Sequence, residues 1–220
     1  MPPHTLPTPR TFLKDLLSSL PAPAPESDAT TTPSNPLASL APPSKNLLLT
    51  LHVLFPHEFL PALDLLDRRL VTRFRIHGRG GNENEDALEL APASTASRGS
   101  SQHSRIYYVR SAQQRASRYS TSVDTTTSYE VRLTAWNCSC PAFAFAAFPS
   151  ALPEPVPPED GAYLEDWSFG GVSLGTGTPP VCKHLLACVL IERCEMFKDF
   201  VEERDVSVEE AAGWAAGWGD

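Results

Sequence analysis

Hydrophobic residues follow a helical spacing near the start of the chain. Four leucines recur at i, i+3, i+4 and i+7 from Leu13 onward, and Thr8 and Pro9 are residue types typical of a helix start. The pattern predicts a short amphipathic helix within residues 1–20. The stretch 21–44 that follows is rich in Pro, Ala, Ser and Thr, so we expect a disordered linker there.

The segment 45–77 predicts helices that lead into a strand. Its first part, NLLLTLHVLF (residues 46–55), is apolar on almost every side, which favours a buried helix, with a strand as the alternative. A second helix is expected with Pro61 in its first turn. At residues 71–77 the hydrophobic residues no longer follow a helical spacing and instead alternate with polar ones, which indicates the first strand.

An alternation of apolar and polar residues predicts three strands in all. The second lies near residues 105–110 (RIYYVR), and the third near residues 128–136, from where we expect it to run directly into Cys138. The residues between the first two strands, 78–104, are rich in Gly, Ser, Asn and acidic side chains and predict a flexible acidic loop.

The last third of the chain predicts one long helix after a second irregular segment. Residues 149–180 are Pro- and Gly-rich and predict a disordered insertion within a module that spans 105–200. Before it, PAFAFAAF suits a short helix or a turn, and after it apolar residues at helical spacings predict a helix from about Cys182 to Val201. Residues 201–220 predict an acidic tail or a short helix.

These elements together predict an α+β fold. We expect a small antiparallel β-meander packed with helices, with a long disordered linker and loops. The chain has 220 residues and 22 prolines, so the foldable part is much smaller than the whole chain.

The charge distribution leaves two interpretations open. The net charge is −8, yet the acidic residues concentrate in the predicted loops and tail, whereas the predicted folded part is mildly basic. The acidic loops could simply keep a small domain soluble. Alternatively, the arginines of the predicted strands form a face for nucleic acid or for a partner protein: Arg73, Arg75, Arg105, Arg110 and Arg132.

Cysteine usage and hydropathy indicate an intracellular protein. Five cysteines are an odd number and too few for a disulfide scaffold of this length, which favours a reducing compartment. The first residues, MPPHTLPTPR, lack the basic-then-apolar pattern of a signal peptide. The apolar runs are far shorter than the ~20 residues of a membrane span, so we expect a soluble protein with no membrane partner.

Two separated pairs form a candidate metal site: Cys138 with Cys140, and Cys182 with His184. Three thiolates and one imidazole are a complete tetrahedral ligand set for zinc. Residues two apart on a strand point to the same face, and the second pair lies where a helix is expected to begin. The alternative is that these are buried cysteines and a core histidine, which is the role predicted for Cys188 and Cys194 in the apolar helix.

The candidate site predicts a structural metal rather than an enzyme. Four protein ligands leave no open coordination position for metal-assisted hydrolysis. The Gly-rich run at residues 170–177 lacks the Lys-Ser/Thr of a phosphate-binding loop, and no catalytic set of residues is visible.

The pattern C-x-C…C-x-H-x-x-A, completed by Ala187, resembles the SWIM zinc finger. The chain is similar to the SWIM-domain subunits of the Shu complex, which form the zinc finger SWIM domain-containing protein seven family. The similarity rests on the sequence segments CSCPAFAF and CKHLLA, with LLLTLHVLF…ALDLLDRRLVT upstream and VSVEE downstream. The likeness covers about 46–76, 105–148 and 181–210. The chain departs from the family in its linker, in its expanded loop and in the long insertion.

The resemblance implies a non-enzymatic adaptor with one structural Zn²⁺ held by Cys138, Cys140, Cys182 and His184. Members pair with a RecA-like recombinase paralog, as a heterodimer or larger complex, and promote recombinase filament assembly on single-stranded DNA in homologous recombination and DNA repair. We therefore expect a nuclear protein that contacts single-stranded DNA mainly through its complex. The alternative is a SWIM module that binds DNA or RNA directly, as in transcription regulators or transposase-related proteins.

Overall fold

A computed structural model describes residues 6–20, 40–77, 106–112, 127–148, 167–172 and 177–219. In chain order its elements are α1 (Pro9–Ser18), α2 (Pro42–Leu54), α3 (Phe59–Asp67), β1 (Val71–His77), β2 (Ile106–Arg110), β3 (Ser128–Arg132), β4 (Asn137–Cys138), α4 (Pro141–Ala147), α5 (Lys183–Arg193), a 3₁₀ helix (Glu195–Phe200), β5 (Val201–Ser207) and α6 (Val208–Ala215). No helix in these ranges is long and apolar enough to cross a membrane.

The strands form one five-stranded sheet with the order β4-β3-β2-β1-β5. Strands β1 to β4 pair antiparallel with their neighbours, which confirms the predicted meander. Strand β5 was not predicted and lies parallel to β1 over the full length of both strands. The fold is therefore a mixed sheet with helices, rather than a purely antiparallel one.

Helix α5 forms the centre of the main core. Every residue from His184 to Ile191 is buried, because the helix lies between the sheet and the N-terminal helices. The sheet contributes the side chains that alternate on its inner face, among them Val71, Tyr107 and Val131. The leucines of α1 pack against the same core, so the predicted N-terminal helix docks on the body of the protein.

The opposite face of the sheet carries a smaller second core. Phe74 and Tyr108 lie on this face and meet Trp214 of α6, with ring centroids 5.1 and 4.8 Å from that of the indole. Residues Ser207 to Glu210 form the predicted helix start, since the Ser207 hydroxyl accepts a hydrogen bond from the Glu210 amide. The C-terminal segment thus covers the part of the outer face that β1, β2 and β5 form.

The prediction of an acidic tail for residues 201–207 is wrong, because this segment is a strand. VEERDVS lacks the alternation of a half-buried strand, so its hydrophobic pattern gave no signal. This strand is instead hydrogen-bonded to β1, and two of its acidic side chains contact basic side chains of β1. Glu203 forms ion pairs with Arg73 and Arg75, and Asp205 lies 2.9 Å from the His77 ring.

Two predicted boundaries in the module are also wrong. The third strand ends at Arg132, and a turn at residues 133–136 reverses the chain into β4. That turn places Trp136 at a φ of 50°, a conformation that sequence patterns do not assign to tryptophan. The last long helix ends at Arg193 instead of about Val201, because Cys194 has an extended conformation before the 3₁₀ helix.

Parts of the linker and of the insertion, both predicted to be disordered, pack into the fold. Residues 42–44, assigned to the linker, form the first turn of α2, and the buried Phe169, assigned to the insertion, packs on Trp136 with ring centroids 4.7 Å apart. The expectation of a buried α2 holds for one side only, since Leu49 and Val53 are 59% and 76% exposed. Residues 21–39, 78–105, 149–166 and 173–176 lie outside the described residues.

Arg73→Ala is expected to lower the free energy of unfolding by about 1–3 kcal/mol, because it removes the guanidinium from the Glu192 carboxylate, which is only 10% exposed. Arg73 donates to Glu192 at 3.0 Å and pairs with Glu203, and its side chain is only 16% exposed. Urea denaturation in the presence of zinc measures the loss. Arg132→Ala is the control, since its exposed pair with Glu130 is worth less than about 1 kcal/mol; equal losses in the two variants contradict the prediction.

Candidate metal centre

The four predicted ligands come from two places that the fold brings together. Cys138 ends β4 at the edge of the sheet, and Cys140 follows as the residue that caps α4. Cys182 caps α5, and His184 lies in its first turn. The site therefore joins the edge of the sheet to the start of the central helix.

Their ligand atoms form one compact cluster. The three sulfurs and a ring nitrogen of His184 all lie within 4.8 Å of one another, and the Cys138 sulfur lies 3.8 Å from Nδ1 of His184. A tetrahedral zinc ion with bond lengths of about 2.3 Å to sulfur and 2.0 Å to nitrogen separates its ligand atoms by roughly 3.6–3.8 Å. Each of the four residues is at most 3% exposed. The cluster is thus close enough to hold a metal ion and is closed to solvent.

Helix starts stabilise two of the sulfurs as acceptors. The Cys140 sulfur accepts a hydrogen bond from the Phe143 amide at 3.3 Å, and the Cys182 sulfur accepts one from the Leu185 amide at 3.5 Å. Amide donors and the positive end of a helix dipole favour the thiolate, which is the form that binds metal. The sequence predicted this environment for Cys182 but not for Cys140.

The thiols also interact with one another. A hydrogen bond from Cys138 is the main cause that lowers the pKa of Cys140, and the same bond is the main cause that raises the pKa of Cys138. Hydrogen bonds among the sulfurs therefore favour ionisation of one thiol over ionisation of its neighbours. A divalent cation at the centre removes this competition, because it stabilises all three thiolates together.

The surroundings of His184 support coordination by its imidazole. The imidazole packs against Tyr129 of β3 in a tilted arrangement, with ring centroids 4.7 Å apart, and Nδ1 lies 3.8 Å from the Cys138 sulfur. Nε2 is buried and has no hydrogen-bond partner in the part of the chain that the structure describes. Three thiolates and an imidazole are consistent with a structural zinc ion.

Two residues that the sequence analysis did not single out position the ligands. Ser139, between the first two cysteines, donates its amide to the Glu130 carbonyl and accepts the Glu130 amide on its hydroxyl, which ties the ligand segment to β3. The Trp136 indole donates to the Pro180 carbonyl at 2.8 Å and so holds the chain just before Cys182. Their place beside the cysteines in sequence was the only available signal.

The remaining cysteines are core residues, as predicted. Cys188 and Cys194 are fully buried, and burial raises the pKa of Cys188 and raises that of Cys194 to about 12. Neither belongs to the metal cluster. Both behave as small apolar side chains on the inner side of α5 and at its end.

The structure divides the predicted arginine face between the two sides of the sheet. Arg73 and Arg75 are two residues apart on β1, so both lie on the inner face of the sheet, where both pair with Glu203. The register places Arg110 and Arg132 on the outer face, at opposite ends of adjacent strands, and Arg132 pairs with Glu130. Arg105 lies outside the described residues. The four described arginines therefore do not form one continuous basic surface.

Cys138→Ser and His184→Ala are expected to abolish metal binding and unfold the protein. A structural zinc site contributes about 10–16 kcal/mol of apparent binding free energy, as much as the whole stability of an ordinary domain. Metal analysis of the purified variants and circular dichroism measure both losses. Cys188→Ala is the matched control and should keep one metal ion per chain; a ligand variant that stays folded with its metal contradicts the prediction.

No protein-family model matches the chain, and no curated protein matches it. What the structure establishes is a buried cluster of three cysteines and one histidine that is able to bind a metal ion.

Proposed function

We propose that the protein is a non-enzymatic, zinc-stabilised adaptor subunit of a Shu-type complex. In this proposal it is a SWIM module that pairs with a RecA-like recombinase paralog in the nucleus. The pair promotes assembly of the recombinase filament on single-stranded DNA during homologous recombination and DNA repair.

The closed metal cluster is the observation that carries this proposal. The C-x-C…C-x-H-x-x-A pattern supplies four ligands that converge within 4.8 Å, and their burial leaves no access for a substrate. A metal with four protein ligands contributes folding energy rather than chemistry. Its role is to hold the sheet edge and the central helix as a platform for a partner.

The charge arrangement supports protein contacts over direct DNA contacts. Phosphate binding needs cations that are free to replace counterions. Arg73, Arg75 and Arg132 already pair with glutamates of the same chain. The adaptor in this proposal leaves DNA binding mainly to its RecA-like partner.

Affinity purification of the tagged protein followed by mass spectrometry is expected to recover a RecA-like paralog in near-stoichiometric amount. Cys182→Ser should lose this partner, because the platform depends on the metal, whereas Cys188→Ala should retain it. Wild-type protein that is folded and metal-loaded but recovers no RecA-like protein contradicts the proposed function.

The second candidate is direct binding of DNA or RNA by the module. It is favoured by one observation: Arg110 and Arg132 share the outer sheet face with Arg204, which lies over the rings of Phe74 and Trp214. Arginine beside aromatic rings is a combination used for single strands. However, Glu130 and Glu210 pair with two of these arginines.

The purified chain alone is expected to bind single-stranded DNA no more tightly than the roughly 10⁻⁴–10⁻⁶ M of non-specific binding at physiological salt. Fluorescence anisotropy with a labelled oligonucleotide measures this. Tighter binding that falls steeply with salt and disappears in Arg110→Ala/Arg132→Ala/Arg204→Ala favours the second candidate.

A further inference from the structure

Helix α4 is a surface helix without a single polar side chain. Its sequence is PAFAFAA, and Phe148 follows at its end. Phe143 points into the main core, whereas Phe145 and Phe148 are 82% and 76% exposed. The other exposed residues of the helix are alanines and a proline. Scattered apolar residues at a surface are ordinary, but a continuous apolar patch of this kind marks an interaction site.

The metal cluster and the core hold α4 in place. The ligand Cys140 caps its first turn, and Phe143 is buried among the residues that surround the cluster. Phe145 lies on the helix, and Phe148 follows three residues later as the residue that caps its C-terminal end. Alanine loses no side-chain entropy when it is buried. The helix is therefore a pre-organised element with two aromatic anchors, which lowers the cost of binding.

The absence of charge on α4 and on its neighbours in sequence decides which class of partner fits it. The sequence contains no charged residue between Arg132 and Glu154. Interfacial membrane helices combine an apolar side with basic residues, and nucleic acids require cations, so neither matches this surface. The centre of a protein–protein interface is depleted of charge and enriched in aromatic residues, as this surface is.

The size of the patch argues against self-association through α4. An aromatic side chain buries roughly 150–250 Å², so the two exposed phenylalanines offer roughly 300 Å² per chain. A stable interface buries about 800 Å² per partner. The area buried by a symmetric contact between α4 and α4 of a second copy therefore falls far short of a stable interface. A partner whose groove encloses α4 can bury additional surface of the chain beyond the helix.

We propose that α4 inserts Phe145 and Phe148 into an apolar groove of the RecA-like partner, an inference that rests on the proposed function. The binding mode is that of a helix in a groove, with anchors at i and i+3. The metal site then serves recognition indirectly, because it fixes the helix that carries the anchors.

Isothermal titration calorimetry of the zinc-loaded chain with the purified RecA-like paralog tests this docking. Phe145→Ser/Phe148→Ser is expected to weaken binding at least roughly tenfold, the effect typical of central aromatic anchors. Because both residues are exposed, the variant should keep its metal content and melting temperature. Leu49→Ser/Val53→Ser on α2 removes two apolar side chains of comparable exposure and should leave the affinity within about twofold, the range of near-neutral contacts.

A photo-reactive benzoylphenylalanine at position 145 provides the second measurement. It should crosslink to the paralog, whereas the same group at position 53 should not. If the wild-type chain binds the paralog and the phenylalanine variant binds equally well, or if position 145 crosslinks to a second copy of this chain or to lipid, the docking proposal is overturned and the proposed function stands. If the wild-type chain does not bind the paralog, both are overturned.

Discussion

The convergence of Cys138, Cys140, Cys182 and His184 is the constraint on which the rest of the structure depends. The cluster joins the free edge of the sheet, at β4, to the first turn of α5, and α5 is the element around which the main core is built. The segment between Cys140 and Cys182 is long, but the entropy lost when its ends are brought together is only a little larger than for a short loop, because this entropy grows logarithmically with loop length. A metal bound here adds a contact that the hydrophobic core alone does not supply.

The position of the cluster also explains the local geometry. Two helices start at ligand residues, so the amides of their first turns donate to the Cys140 and Cys182 sulfurs. Ser139 and Trp136 link the neighbouring backbone to Glu130 and Pro180 by hydrogen bonds. These contacts orient the four side chains of the cluster, as supporting shells do in other metal sites. They also fix α4 with its apolar side towards solvent, which is the surface we assign to the partner.

The other edge of the sheet depends on charge rather than on a metal. Strand β5 pairs with β1 along its whole length, Glu203 forms ion pairs with Arg73 and Arg75, and Asp205 lies 2.9 Å from the His77 ring. These ion pairs help to hold residues 201–207 along β1. They also leave Arg73 and Arg75 paired with an acidic residue, so these two arginines do not contribute to the basic surface that the sequence predicted. Strand β5 also leaves a charged outer edge, which discourages pairing with strands of other chains.

The sequence by itself determined the members of the Cys/His cluster, the helices α1, α2 and α3 and the strands β1 and β2, because each depends on local spacing within a short stretch of chain. The role of Cys188 and Cys194 also followed from their apolar neighbours. Only the tertiary structure decided the turn at Trp136, the end of α5 at Arg193 and the strand β5, since these depend on contacts between residues distant in sequence. The division of the arginines between two faces and the exposure of Phe145 were likewise decided by packing, because local pattern cannot show which side of an element finds a neighbour.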